Sequence, residues 1–449
     1  MKFLTSLTRE QKEAVGLLQI GTFLEYFDLM LYVHMAVLLN ELFFPKTDPH
    51  TASLIAAFAF CSTYVLRPFG ALIFGYIGDT IGRKTTVIIT TMMMATSCII
   101  MANLPTYAQI GVTAAWVVTI CRMIQGLSSM GEVIGAEVYV SEITQPPAGY
   151  AAVSFISVAC AVGAMAAVGI AALTTRYGFN WRTAFWIGAC IAVVGSVART
   201  RLRETPEFVD MKRKIKKTIE EAKIKDPEKT KKIWENAAKK MKAKIPTPTL
   251  ISCFFVNCGW PLSFYLIYIY FNPILKNTYG YTAEEVIFHN FILTIAQVMV
   301  FMMWSIMTYY IYPLKILKIK GMLSLVLMAS IPLWLLMSRS AWDIFVLQTL
   351  ILTFSLHNFP GQYIFLKRLP VYRRFTASGF IYASARGLTY VIASFGIVYL
   401  TDWLNHWGSL LVTIPSCLAY LAGVRYFDKL EKNAPSRSES SSSFHHAAA

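Results

Sequence analysis

Acidic residues are scarce in this chain. Its 449 residues hold 25 Asp and Glu against 41 Lys and Arg, and charged residues of both signs make up only 15%. With 56% hydrophobic residues and a mean hydropathy of +0.51, that shortage excludes a soluble protein of this size. Cysteine patterns are missing too. All eight cysteines fall within apolar stretches, with no CxxC pair and no Cys/His spacing, so neither a disulfide framework nor a zinc site is implied. Neither HExxH nor a G-x-S-x-G nucleophile elbow occurs, which ranks a membrane enzyme last. Alternating ten-residue strands, the mark of a membrane barrel, are absent. The polar start "MKFLTSLTREQKEAV" precedes no small-residue cleavage site and reads as no removable signal peptide.

What the chain does have is apolar runs of about 20 residues, each long enough to cross a bilayer core as a helix. Lipid offers no partner to an open sheet edge, so such runs mean helices. Twelve spans are expected, near 15–40, 52–77, 86–104, 107–137, 150–173, 182–200, 249–274, 284–311, 320–338, 342–366, 378–401 and 407–427. The fold class is therefore an all-α membrane protein of twelve transmembrane helices in two six-helix bundles. The expected divisions are an N-terminal bundle over 1–200, a basic linker over 201–246, a C-terminal bundle over 247–428 and a disordered tail over 429–449.

Charge gives the orientation. On this layout the side of the termini holds 33 of the 41 basic residues, 17 of them in residues 199–246. The opposite loops hold five (Lys46, Arg176, Arg182, Lys276 and Arg339), and Arg67, Arg122 and Arg386 fall inside spans. Positive loops stay cytoplasmic, so both termini are expected inside the cell. The net charge of +16 is then a topology signal, and no nucleic-acid partner is implied. Ile215, Ile219 and Ala222 in the linker recur at helical spacing, which fits either an amphipathic helix on the anionic leaflet or a solvated tether.

"GDTIGRK" (78–84) interrupts this oily pattern between spans two and three. Gly75, Gly78 and Gly82 let helix ends approach closely. Asp79 can meet a cation or a helix N-terminus, and Arg83 and Lys84 hold the loop in the cytoplasm. The stretch is a candidate gating loop that ties one bundle to the other; the bland reading is an ordinary positive loop.

"GYIGDTIGRK" resembles the loop signature of the major facilitator superfamily, with Thr80 where the signature carries a basic residue. "FLEYFDLMLY" (23–32), "YVLRPFGALIFG" (64–75), "CRMIQGLSSMGEVIGAEVYVSE" (121–142), "NWRTAFWIGA" (180–189) and "RLRETPEF" (201–208) resemble one branch of it, the metabolite:proton symporters. That branch includes proline/betaine, α-ketoglutarate and citrate carriers. In the second half "YRRFTASGFIYASARG" (372–387) resembles the loop into the eleventh helix, whereas "TYYIYPLKILKIKG" lacks the acid expected after the eighth. The resemblance implies a transporter working by alternating access, with a small organic solute and a proton as its partners. It implies no cofactor, metal or obligate protein partner.

An ionisable group in a spanning helix is costly and usually faces a cavity. Glu25, Asp28 and Tyr32 stand at i, i+3 and i+7 and share a face. Arg122 and Gln125 share a face of the fourth helix, with Glu132 about three turns further on. Asp28, Glu25, Arg122 and Glu132 are the candidate proton-coupling groups: pairing favours an ionised acid, and burial without a partner favours a protonated one. A register-fixing salt bridge is the structural alternative. Arg122, Gln125, Tyr32, Tyr26, Trp260, Tyr265 and Asn257 are the candidate substrate-binding residues, since aromatics can cradle a quaternary ammonium and arginine a carboxylate. Arg67 is expected to support the gating loop, and Glu137 to sit in the headgroup zone. His34, His289 and His357 are expected to be packed, and "NFPG" (358–361) breaks span ten. The reading is a proton-coupled importer of a zwitterion or carboxylate in a bacterial inner membrane. Its rivals are an uncoupled facilitator or exporter on the same fold, and a sensor that has lost transport.

Overall fold

A computed structural model describes residues 5–43, 49–177, 180–225 and 245–433, and these are helical throughout apart from short turns. The membrane helices are α1 (Arg9–Phe43), α2 (Pro49–Thr80), α3 (Arg83–Asn103), α4 (Val112–Ile143), α5 (Ala148–Tyr177) and α6 (Arg182–Arg199), followed in the second half by α7 (Thr247–Tyr265), α8 (Ala283–Tyr310), α9 (Pro313–Met337), α10 (Ala341–Thr353), α11 (Arg374–Val391) and α12 (Leu410–Lys432). Among the described residues nine helices are long and apolar enough to cross a membrane, and α6 and α10 are shorter apolar helices. A linker helix, Pro206–Lys225, joins the halves. The side chains of Ile215, Ile219 and Ala222, the rest of the linker over 226–244 and the tail from 434 lie outside the described residues.

Each half buries its own seam. In the first, α1 packs on α5, α3 on α6, and α4 against α2 and α3; in the second, α12 packs on α7 and α9, and α8 on α10. The halves meet along two long contacts, α2 with α11 and α5 with α8. Local chemistry sets the helix ends. Thr282 and Glu285 form a capping box at the start of α8, and Pro313 opens α9, where a missing N–H costs nothing. Three helices depart from regular α geometry. α7 runs into a π-turn at Leu266–Tyr270, and α11 into another at Ile392–Ile397. α10 stops at Thr353 and resumes only through a 3-10 turn, Phe359–Gly361, and a short helix, Gln362–Lys367. Such interruptions free backbone groups within a bundle and need nearby partners.

Among the described residues, four basic side chains assigned to the polar side are buried: Arg83, Arg199, Lys320 and Arg374. Arg199 and Lys320 are fully buried. Arg199 pays its desolvation through the carboxylate of Glu132, and Lys320 lies against the rings of Trp304 and Phe359, 5.4 and 5.1 Å from their centroids.

Candidate functional site

The loop "GDTIGRK" is mostly helix. α2 continues through Thr80 and α3 starts at Arg83, leaving Ile81 and Gly82 as the turn. Asp79 therefore sits in the last turn of α2, facing the start of α11 in the other half. The residue that should cap α11, Arg373, offers no side-chain acceptor to it. Asp79 takes that role from outside: Oδ1 accepts from the Phe375 N–H at 3.1 Å, and Oδ2 from the Thr376 N–H at 2.9 Å and the Thr376 hydroxyl at 2.7 Å. A carboxylate on two orphan N–H groups at the positive end of a helix is a favourable anion site. The approach needs glycine. A Cβ on Gly75 would lie 2.7 Å from the Thr376 Cα, and one on Gly78 would lie 2.5 Å from the Phe375 ring.

Arg83 is buried and organises the surrounding layer. It pairs with Asp79 at 3.2 Å and Glu142 at 3.2 Å, and donates to the Val371 carbonyl of the other half at 2.6 Å. Glu142 in turn receives Arg374 of α11 at 3.0 Å and the Thr205 hydroxyl. Glu204 accepts from the Arg83 N–H at 3.0 Å and so caps α3, while the Phe208 ring lies under the guanidinium at 4.7 Å. Glu207 reaches across to Arg374 at 2.7 Å and to Lys367. Burial works against the ionised form of Glu207, but its bonds to Lys367 and Arg374 outweigh that and hold it below the ordinary carboxylate range. The linker residues of "RLRETPEF" thus complete a layer that joins both halves. Their roles are not readable from spacing, because the partners lie from 63 to 167 positions away.

Deeper in, Asp28 of α1 meets α4. It accepts from Arg122 Nη1 at 2.9 Å and from Gln125 Nε2 at 2.9 Å, while Arg122 also donates to Gln125 Oε1 at 2.8 Å. All three side chains are buried. One turn along α1 towards the termini side, Glu25 faces Arg67 of α2 at 3.4 Å, and both are buried. Arg67 also lies over the Tyr64 ring at 4.8 Å. It therefore faces the carboxylate of α1 and not the 78–84 stretch, because its side chain points inward from α2. Tyr26 receives Arg386 of α11 at 3.0 Å, a contact between the halves, and Arg386 covers the Tyr382 ring at 4.2 Å.

Glu132 does not join Asp28 and Arg122. It is turned into its own half, where Arg199 donates at 2.6 Å and Thr90 and Thr91 add hydroxyls. Its ten-residue offset from Arg122 turns it about 80° away at 100° per residue. Of the aromatic candidates, Trp260 packs against His357 at 4.5 Å and Phe301 at 5.5 Å, and Tyr265 is buried. Asn257 accepts from Asn358 at 3.2 Å. The side chain of Tyr32, like that of His34, lies outside the described residues. An aromatic wall not foreseen from spacing runs through the second half and meets the first at Tyr64: Tyr64 on Tyr390 at 4.5 Å, Tyr390 on Phe264 at 6.1 Å and Phe264 on Trp260 at 6.1 Å. His289 Nε2 donates to Gln348 Oε1 at 2.7 Å, and His357 is buried among rings; both are packed residues.

Two helix bundles, a buried acid–arginine seam between helices of the first, and a charged layer across the ends of both make up the site. Residues 18–394 match the family model of the Major Facilitator Superfamily, and the chain belongs to that superfamily. The proline/betaine transporter of Salmonella typhimurium is 27% identical over 281 residues, covering 61% of this chain and 55% of that protein. The inner membrane metabolite transport protein YhjE of Escherichia coli K12 is 33% identical over 213 residues, covering 46% of this chain and 48% of that protein. The chain spans about half the length of the curated relatives it matches. A solved structure of the proton:xylose symporter XylE, bound to 6-bromo-6-deoxy-D-glucose, shares 16% identity with a TM-score of 0.69, covering 95% of this chain and 96% of that one. That likeness is one of fold.

Proposed function

We propose that this protein imports a small organic zwitterion, of the proline or betaine type, together with a proton, and that the Asp28–Arg122 pair couples the two. The observation that carries this reading is the closed triad of Asp28, Arg122 and Gln125. A buried carboxylate is tolerated while an arginine and an amide satisfy it. A substrate carboxylate that takes the planar fork of Arg122 leaves Asp28 without its cation, and the cheaper state of a buried lone acid is the protonated one. Substrate and proton then enter together. The aromatic wall of Tyr64, Tyr390, Phe264 and Trp260 supplies faces for an ammonium group. The names of the relatives point to the same solutes.

Alternating access needs a lock at each end. The termini side is taken as cytoplasmic from its basic loops, and there the contacts of Asp79 with α11 and of Glu142 with Arg83 and Arg374 bridge the two halves, which supports a lock at that end. In this reading Gly75, Gly78, Asp79, Gly82 and Arg83 form the cytoplasmic latch of the state open to, or occluded from, the outside.

The test is uptake of labelled proline and glycine betaine into proteoliposomes, with and without an inside-alkaline gradient. Gradient-driven accumulation is expected for the wild type. Asp28→Asn should lose accumulation while retaining exchange. Equal uptake with and without the gradient would favour an uncoupled facilitator, and full accumulation by Asp28→Asn would remove that residue from coupling.

A further inference from the structure

Glu137 of α4 is a buried acid that neither the coupling pair nor the latch uses. Its side chain faces the other half and not the headgroups. Among the described residues its partner is the amide of Gln362, which donates to Oε2 at 2.6 Å. Gln362 stands where α10 resumes after its break, and its Oε1 accepts from Asn358 at 2.8 Å. Asn358 also donates to Asn257 of α7 at 3.2 Å. A ladder of amides thus runs from Glu137 through the break in α10 to a candidate substrate residue. Glu137 lies six residues, about 9 Å, from the end of α4. Tyr363 on Thr144 and Arg374 on Glu142 close the path beyond it.

The charged groups around Glu137 are already engaged. Glu25 on α1 faces Arg67 on α2, and Asp28 faces Arg122. Arg83 of α3 and Arg374 of α11 share Glu142, and Lys367 beyond the break holds Glu207 of the linker. Arg386 of α11 rests on Tyr26 and Tyr382, and Tyr363 bonds Thr144. His357 accepts from the Phe359 N–H, and Cys160 of α5 is a buried thiol. Among the described residues Glu137 is left facing the second half with one neutral donor and no cation within ion-pair distance, Arg386 acting on it only from beyond contact. Taking an ionised carboxyl out of water without a cation is expensive, and a protonated one accepts a single amide bond at little cost.

We propose that Glu137 is the inner proton station of the transporter, closing on Gln362 when it carries a proton and parting from it when the proton leaves to the cytoplasm. This rests on the reading of the chain as a proton-coupled transporter. It adds a second protonation site to Asp28, placed at the cytoplasmic gate. The step is a proton transfer only: the carboxyl O–H breaks, the proton goes to water in the opened gate, and the carboxylate is hydrated there. The break in α10 is the element that moves, because Gln362 and Asn358 flank it.

The experiment reads the gate without substrate. Spin labels are placed on Gln145→Cys and Lys315→Cys, both exposed on opposite halves and outside the ladder, after replacement of the eight native cysteines. Distances are measured in nanodiscs by double electron–electron resonance between pH 5.5 and 9. The open fraction of the wild type should rise about tenfold across the range. Glu137→Gln, a permanently neutral mimic, should stay closed with less than about a twofold change, and Glu137→Asp should restore the response. A flat wild type, or Glu137→Gln that is open or follows the wild-type profile, overturns the proposal. Should Glu137→Gln not assemble, Gln362→Leu carries the test: it must raise the open fraction at pH 5.5, and an unchanged fraction overturns the proposal equally. A pH-driven gate in a protein that accumulates no solute would refute the transport reading alone, so the two failures are distinct.

Discussion

Asp79→Asn isolates the charge of the proposed latch while keeping its shape. Both carboxylate oxygens are in use, Oδ1 on Phe375 and Oδ2 on the N–H and hydroxyl of Thr376. The carboxamide keeps one acceptor and turns its NH₂ towards the remaining donors. Hydrogen bonds to a charged acceptor contribute about 1.5–3 kcal/mol, against about 0.5–1.5 for neutral ones. Loss of the charge at the N-terminus of α11 removes about 0.3–1 kcal/mol more. Together with the weakened Arg83 contact, the closed state should lose about 2–3 kcal/mol. At 1.4 kcal/mol per tenfold, the open-to-closed ratio should rise by about 30- to 150-fold. The substrate residues lie elsewhere, so equilibrium binding should change far less than turnover. The assay is maleimide labelling of Ser378→Cys, a buried position one turn along α11, in the Asp79→Asn and parent backgrounds, alongside turnover. Equal labelling with unchanged turnover would return the stretch to a positively charged loop with no part in gating.

Arg122→Ala should abolish uptake and Arg122→Lys should recover little of it, because lysine keeps the charge but not the fork that serves Asp28 and a carboxylate in turn; full recovery of affinity by lysine would make Arg122 a generic charge. Arg199→Leu leaves Glu132 buried without its cation and should cost about 3–5 kcal/mol of stability, with Glu132→Gln in the same background restoring most of the thermal midpoint; a midpoint that does not move would show that the pair holds nothing. Glu207 is held below the ordinary carboxylate range, so its contribution to the closed face is complete above that range and is lost as the cytoplasmic pH falls through the lowered value. The distance between spin labels on Gln145→Cys and Lys315→Cys should therefore lengthen on the acid side of about pH 4.3, and Glu207→Gln should remove that limb, leaving the longer distance throughout; a limb that survives the substitution belongs to another group.

Twelve apolar runs, their separation into two sets of six and the bias of Lys and Arg to one side were legible in the sequence. Each depends on residues within one segment: the bilayer core sets the length of a run, and insertion reads the charge of its flanks. The shared face of Glu25 and Asp28 was equally legible, since helical periodicity is local. Partners were not. Nothing in the spacing assigns Arg67 to Glu25, turns Glu132 to Arg199 or buries Lys320 under Trp304 and Phe359. These depend on how each helix is rotated in its bundle, which a mostly apolar helix does not announce because lipid and core accept the same side chains.

The Asp79 contact shows the division most clearly. From the sequence, "GDTIGRK" is a glycine-rich stretch with one acid and two bases. That Asp79 caps a helix beginning 295 positions later is a property of the packed halves, since only their docking brings the open end of α11 to the end of α2. Glu137 is the same case. One residue type on α4 gave no sign of its neighbour, and the break in α10 gave no sign of what it faced. Which groups are costly to bury follows from residue type alone; which of them find a partner, and what that partner is, follows from how the helices dock.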